Sequence, residues 1–163
     1  MSAADRLAAG SDDSAACALL ADVLGASRLV RPTACGRMVA ALTVDHSAGR
    51  VALVLSDGTG RLSTPRDRAD WIGIAETLAR LVRSAGVLVA VDPLRDLGVL
   101  AAQFHAHRVT RSPALPVTLA PLVCSAQSVG LADLGDQGDV WTLAETLLAA
   151  GAARARIPTA RAA

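Results

Sequence analysis

The 163-residue sequence contains no Lys, no Asn and no Tyr, and its aromatic side chains are limited to one Phe and two Trp. All 16 basic residues are Arg, and Asp supplies 13 of the 15 acidic residues. This is the bias that a GC-rich genome would impose through codon supply alone, so the composition indicates more about the host than about the function. The shortage of aromatic rings argues against a nucleic-acid module that works by base stacking.

Long uncharged apolar runs are also missing, although 52% of the residues are hydrophobic. No run reaches the roughly 18 residues that a membrane-spanning helix needs. The first ten residues lack the apolar segment and cleavage site of a signal peptide. We therefore expect a cytoplasmic protein that does not enter a membrane. The net charge of +1 provides no overall basic field for nucleic acid.

Cysteine is scarce and widely spaced, at Cys17, Cys35 and Cys124. Without a Cys-x-x-Cys pair, this spacing predicts three thiols rather than a disulfide framework or a zinc site. The sequence also lacks the G-x-S-x-G, Walker A, G-x-G-x-x-G and H-E-x-x-H motifs. The glycine-rich segment 56–60 lies between two predicted strands, so it indicates a turn rather than a phosphate-binding loop.

The length suits one domain with a real core. We predict a flexible tail over 1–11, an N-terminal helix and linker over 12–36 with the helix over 12–25, an α/β domain over 37–151, and an Arg-containing tail over 152–163. The extra helix is expected to pack on the sheet or on a second subunit.

Within the domain, apolar runs and turn residues predict three strands followed by alternating helices and strands. Very short turns connect the first three strands, which must therefore form an antiparallel meander. Later strands follow helices, so they are expected to be parallel. This is the order of the ribonuclease H-like fold, a mixed sheet with helices on both faces. The predicted strands are 37–45, 50–55, 61–64, 87–91 and 117–123, and the predicted helices begin at Asp67, at Asp92-Pro93 and at Asp139.

Two segments resemble the proofreading-type DEDD 3′–5′ exonucleases over about residues 38–150. Residues 88–104, an apolar strand followed by Asp92-Pro93, Asp96 and a helix, resemble the family's second motif. Residues 139–148 are similar to its last helix, which opens on a metal-binding Asp. The resemblance places Asp96 and Asp139 on metal-binding carboxylates, and it implies Mg²⁺ or Mn²⁺ as the cofactor of any active member.

The first family motif, Asp-x-Glu-Thr-Thr-Gly, is not preserved. If Gly49 sets the register, Val44 and His46 stand where the two acids belong. A shift by one residue brings in Asp45 but places Ser47 in the second position.

Two further family positions are also changed. Val91-Asp92 stands where the second motif has His-Asn, and Leu134 stands where the family has its general-base His, with Gln137 as the nearest polar residue. The chemistry of the family needs two metal ions about 3.5–4 Å apart, and four acids reduced to two should lose at least one of them.

The leading hypothesis is a degenerate, catalytically inactive exonuclease-like domain that needs no cofactor and binds a protein or a nucleic-acid complex, with a homodimer as one arrangement. The alternative is a divergent Mg²⁺- or Mn²⁺-dependent exonuclease that uses Asp96, Asp139 and an acid from Asp45 or Asp136. A third hypothesis is a roadblock-like regulatory module that partners a GTPase, from a similarity over 51–81 and 92–102.

The presence of these candidate site residues also has simpler explanations. Asp96 and Asp139 lie near predicted helix starts, where a carboxylate is favoured without any metal. His46 is a candidate ligand for a transition metal. His105 and His107 lie two residues apart on a helix and so point to different faces. A basic patch of Arg61, Arg66 and Arg68 is equally explained as a solvated turn.

Overall fold

The structure, a computed structural model, describes residues 29–30, 38–45, 49–83, 86–109, 118–119, 122–131 and 139–155. The predicted tail over 1–11, the predicted helix over 12–25 and the end of the C-terminal tail lie outside these residues. The elements are, in chain order, β1 (Leu29–Val30), β2 (Val39–Asp45), β3 (Arg50–Leu55), β4 (Gly60–Ser63), α1 (Arg68–Arg83), β5 (Val87–Ala90), α2 (Pro93–Ala106), β6 (Thr118–Leu119), β7 (Leu122–Ser125), a 3-10 turn (Gln127–Val129) and α3 (Val140–Ala155).

The described part of the chain is an α/β arrangement built on a five-stranded mixed sheet. Its strand order is β4-β3-β2-β5-β7. The pairs β2–β3 and β3–β4 are antiparallel, whereas β2–β5 and β5–β7 are parallel. The predicted meander and the later parallel strands are therefore confirmed. A separate parallel pair joins β1 to β6.

The β-hairpins form where the sequence supplies glycine at turns. Gly49 and Gly58 have φ of +65° and +88°, a region that glycine enters without steric cost. In the second hairpin, Oδ1 of Asp57 accepts hydrogen bonds from the backbone N–H and the hydroxyl of Thr59, at 2.9 and 2.6 Å. The segment 56–60 is thus a turn between β3 and β4, as predicted.

Helix starts also follow the predicted capping residues. Oδ1 of Asp67 accepts from the N–H of Asp70 at the start of α1. Asp92 is the N-cap of α2 and Pro93 its first residue, which matches the fixed φ of proline and its missing N–H. These caps begin the two helices that precede and follow β5.

Alternation along the strands divides the interior into two cores. The α1/α2 core comprises Ala40, Leu42, Val51, Leu53, Leu55, Trp71, Ile74, Leu78, Ala79, Leu88, Ala90, Leu97, Leu100, Phe104 and Val123. The α3 core, on the opposite face, comprises Val39, Ala41, Ala52, Val54, Val87, Val89, Cys124, Ala126, Val129, Val140, Ala144, Leu147, Leu148 and Ala152. Helices therefore cover both faces, as expected.

One predicted strand differs from the structure. Residues 117–123 form two strands in different sheets, β6 and β7, rather than a single strand. Pro121 falls between them, and proline has no N–H to donate to a ladder. Among the described residues, no helix is long and apolar enough to cross a membrane.

Candidate functional site at the carboxyl ends of the parallel strands

Open α/β sheets bind ligands beyond the carboxyl ends of their parallel strands. Here β2, β5 and β7 run parallel, so their carboxyl ends share one edge of the sheet. Asp45 is the last residue of β2, and Asp92 follows β5. The hydroxyl of Thr43, which is buried, donates to the carbonyl of Val140 at 2.7 Å, and this bond fixes the start of α3 at the same edge. The sequence-predicted acids therefore lie on elements that meet at this edge.

Asp139 is an exposed residue at the start of α3. Its Oδ1 accepts from the backbone N–H of Thr142 at 2.8 Å, which is the N-cap interaction. This hydrogen bond is the main reason that the pKa of Asp139 lies below its ordinary value of 3.8, and the positive charge of Arg50 adds to the effect. Helix capping thus accounts for an ionised Asp139 without a metal ion.

The end of β2 presents different side chains to the two faces of the sheet. Asp45 pairs in register with Arg50 across the β2–β3 hairpin. The preceding residue, Val44, is half-buried and packs against the α1/α2 core. The position that the resemblance assigns to a metal-binding acid is therefore part of an apolar contact. His46 and Asp136 lie outside the described residues.

The start of α2 carries two acids in different surroundings. Asp92 is exposed, and its Oδ1 accepts from the N–H of Arg95 at 3.3 Å. Asp96, one turn later, is only 1% exposed. Its Oδ1 lies 3.3 Å from Nε of Arg95, whose side chain is half exposed. Because a buried carboxylate is costly without compensating contacts, this contact with Arg95 helps to offset the burial of Asp96.

Val91, between β5 and α2, lies at the position that the resemblance assigns to a histidine. It is half-buried and packs against the α3 core. Val44 and Val91 therefore both contribute to packing at this edge, on opposite faces of the sheet.

Within the described ranges, no group of three or more His, Cys, Asp and Glu side chains could hold a metal ion. Asp45, Asp96 and Asp139 do not form such a group. The described site consists instead of a capped helix start, a hairpin acid beside Arg50, and a buried acid paired with Arg95. The exposed Asp139 and Arg50 can present charge to a partner, but among the described residues these groups provide no clustered set of metal ligands.

Sequence reasoning missed two residues that shape this edge, Thr43 and Arg50. The alternation of side chains along β2 and β3 could have placed both residues on the face covered by α3. It could not have predicted the hydrogen bond from Thr43 to Val140, because these residues lie 97 positions apart in the sequence. The burial of Asp96 was also missed, because its position in a first turn resembles an exposed capping site.

Two of the other polar candidates, His107 and Arg68, make structural contacts. The ring of His107 stacks on Trp71, with centroids 5.8 Å apart. Nε of Arg68 donates to the carbonyl of Arg108 at 3.1 Å, which ties the start of α1 to the end of α2. Arg66 is exposed. The side chain of Arg61 is not among those described.

Comparisons with protein-family models, with curated proteins and with solved structures find no match to this chain.

Proposed function

We propose that this chain is a catalytically inactive, exonuclease-like domain of the ribonuclease H-like fold that acts as a binding module for a protein or a nucleic-acid complex. The mixed sheet supports the fold assignment, since three antiparallel strands precede two parallel ones and helices cover both faces. The proposal makes the carboxyl edge of the sheet a recognition surface rather than a reaction centre.

The observation that carries the proposal is the packing of Val44 and Val91. Both side chains are half-buried against the two cores at the edge where the resembled family places metal-binding and catalytic groups. A valine side chain has no oxygen atom with which to coordinate a hard cation. Two metal ions need carboxylates that lie together, and among the described residues Asp45, Asp96 and Asp139 form no such group.

Asp139 provides secondary support. Its carboxylate already accepts the hydrogen bond that caps α3. A helix cap stabilises the fold whether or not the chain has an enzymatic activity. The retention of Asp139 is therefore compatible with lost catalysis.

A digestion assay tests the proposal directly. The full chain is incubated with single-stranded DNA and with RNA, in Mg²⁺ and in Mn²⁺, beside the variants Asp96→Asn and Asp139→Ser. Serine retains the capping ability at position 139 but removes the carboxylate, so a loss of activity in this variant cannot be attributed to a lost cap. We expect no turnover above the background of the variants.

The alternative is a divergent exonuclease using Asp96, Asp139 and an acid from Asp45 or Asp136. One observation favours it, since the Thr43 hydrogen bond fixes the start of α3 beside the end of β2. Metal-dependent turnover that disappears in both Asp96→Asn and Asp139→Ser would establish this alternative and refute the inactive-domain proposal. The roadblock-like hypothesis has less support, because that family places two or three strands between its central helix and final strand, whereas α1 leads directly into β5.

A further inference from the structure

Trp71 and His107 connect the start of α1 with the end of α2. Their rings stack, with centroids 5.8 Å apart and an angle of 28° between the ring planes. Phe104, on the last turn of α2, contacts the same indole edge-on, with centroids 5.9 Å apart. Trp71 is buried, whereas His107 is half-buried and so keeps contact with solvent. We call the contact of these two rings the Trp71–His107 stack.

The indole N–H of Trp71 provides no anchor for its ring. Among the described residues, Nε1 of Trp71 is the one buried side-chain nitrogen or oxygen without a hydrogen-bond partner. A buried indole usually donates to an acceptor. The position of this ring therefore depends on its packing against Phe104, His107 and the rest of the α1/α2 core, and a change in the charge of His107 acts directly on that packing.

His107 lies where a positive charge is favoured. It is the C-cap residue of α2, and its backbone N–H donates to the carbonyl of Gln103 at 2.9 Å. The carboxyl end of a helix carries a partial negative charge, and the face of an indole attracts a cation within about 6 Å of the ring centroid. Histidine gains or loses its proton between about pH 5 and pH 8. Protonation of His107 therefore strengthens both interactions.

The other charged and titratable groups near this stack are exposed. On α1 they are Asp67, which caps the helix, and Arg68, whose Nε donates to the carbonyl of Arg108. On α2 they are His105 and Arg108, and the buried Asp96 lies at the opposite end of that helix. Arg68 and Arg108 oppose a proton on the imidazole and Asp67 favours it, but all three are exposed, so water and salt screen their charges. The sheet contributes apolar side chains of the α1/α2 core.

We infer that the Trp71–His107 stack is a pH-sensitive contact, which holds the end of α2 against the start of α1 more firmly when His107 is protonated. The added stability is present in mild acid, and it disappears as the pH rises through the range in which histidine loses its proton. This inference does not depend on the proposed binding role, since neither residue belongs to the candidate site.

The first test follows the fluorescence of Trp71 in the full chain. Trp141→Phe leaves Trp71 as the sole tryptophan, since the sequence has two. Its emission should fall in a single step between pH 8 and pH 5, because an imidazolium quenches indole fluorescence more strongly than a neutral imidazole does. His107→Gln should abolish the step.

The other two histidines of the sequence supply the matched controls for this titration. His105→Gln and His46→Gln should each retain the step. Circular dichroism checks that every variant folds. If Trp141→Phe does not fold, the wild-type chain is compared with its own His107→Gln variant.

The second test measures the strength of the stack by urea denaturation at pH 5 and pH 8. His107→Gln should lower the folding equilibrium constant at least about threefold more at pH 5 than at pH 8, because glutamine cannot be protonated. Trp71→Leu removes the aromatic face and should reduce this pH-dependent difference. Trp71→Met replaces Trp71→Leu if the leucine variant does not fold.

Four results would overturn the inference. The first is an emission step that is absent, or that persists in His107→Gln, since the pH dependence would then belong to another group. Equal effects of His107→Gln at the two pH values would mean that protonation does not strengthen the contact. A larger effect at pH 8 would mean that repulsion from Arg68 and Arg108 exceeds the attraction. A pH-dependent difference that is unchanged in Trp71→Leu would assign the effect to the end of α2 alone.

Discussion

Helices α1 and α2 cover one face of the sheet with large side chains, whereas α3 covers the opposite face with mostly small ones. Among the described residues, Leu147 is the one fully buried leucine or isoleucine of the α3 core, whereas the α1/α2 core has Leu42, Leu53, Leu55, Ile74, Leu78, Leu88, Leu97 and Leu100. Apart from Leu147 and Leu148, the α3 core consists of alanine, valine and Cys124, and α3 places Gly151 against Val39 and Val89.

The difference shows two ways to fill the space between a helix and a sheet. On the α1/α2 face, volume comes from leucine side chains, so truncation should leave a cavity. On the α3 face, the helix approaches closely and small residues leave little space, so enlargement should be the damaging change. The candidate edge for binding lies where the closely packed helix begins.

Truncating a leucine of the α1/α2 core should have the largest effect. Leu100 is completely buried on α2, and Leu100→Ala should lower the free energy of unfolding by about 3 kcal/mol through lost burial and a residual cavity. Alanine is a good helix former, so a loss of helix propensity does not contribute to this change. Urea denaturation measures the change. The control Leu62→Ala, at an exposed leucine, should change the free energy of unfolding by no more than about 0.5 kcal/mol. A similarly small loss in Leu100→Ala would mean that the stability of the α1/α2 core does not depend on the volume of its side chains.

Enlarging Gly151 should expose the opposite weakness of the α3 face. A Cβ there would lie 2.7 Å from Cγ2 of Val89 and 3.3 Å from Cγ1 of Val39. Alanine gains about 1 kcal/mol over glycine in a helix interior, but overpacking costs about 1–3 kcal/mol. We expect Gly151→Ala to give a net loss of about 1 kcal/mol in urea denaturation.

The reverse substitution at an exposed site of the same helix supplies the control. Ala149 is exposed, so Ala149→Gly should lose about 1 kcal/mol from helix propensity alone. If Gly151→Ala gains as much stability as Ala149→Gly loses, the packing of α3 does not depend on its close approach to the sheet. The two faces would then not differ in the way proposed above.

Local patterns predicted much of this fold. The bounds of β3, the start of α2 at Pro93 and the alternation that divides the two cores all follow from neighbouring residues. The pairing of β1 with β6 was missed, because a two-residue strand has no periodicity and its partner is distant in sequence. The antiparallel pairing of the first three predicted strands and the parallel pairing of the later ones were predicted correctly, whereas the burial of Asp96 could not be predicted, because it depends on how α2 lies against the sheet.

The next prediction concerns the helix cap at the start of α3, on the face with mostly small side chains. Asp139→Ala removes the side-chain acceptor for the N–H of Thr142 and should lower the melting temperature by a few degrees. Asp139→Ser should recover most of that loss, because serine also caps helices.

The pH dependence of the same variant separates the charge from the cap. The pKa of Asp139 is lowered in the folded chain, chiefly by the hydrogen bond from Thr142. A lowered folded-state pKa gives stability that is present above the ordinary value near 3.8 and disappears as the pH falls through the folded-state pKa. The melting temperatures of the wild-type chain and Asp139→Ala should therefore converge below that pKa. A constant difference between pH 7 and strongly acidic conditions would show that the charge of Asp139 does not contribute.

The smallest expected effect concerns the end of α2. Arg108 has φ of +48°, in the left-handed region. Its N–H donates to the carbonyl of His105, and the N–H of Val109 donates to that of Phe104, which is the Schellman pattern that usually places glycine at this position. On the other face, Gly130 follows the 3-10 turn with φ of +90° and open space around its Cα.

Substitutions at Arg108 and Gly130 compare the two faces of the sheet at positions where the backbone is left-handed. Arg108→Gly should raise the free energy of unfolding by about 0.5 kcal/mol, since relief of strain slightly exceeds the greater entropy that glycine loses on folding. The bond from Arg68 to the carbonyl of Arg108 uses the backbone and is retained. Gly130→Ala should lower stability by about 1 kcal/mol from strain alone, because no neighbour obstructs a Cβ there. Opposite signs in urea denaturation would show that backbone conformation decides both positions, whereas a loss in Arg108→Gly would show that the arginine side chain stabilises the end of α2 by more than its strained backbone costs.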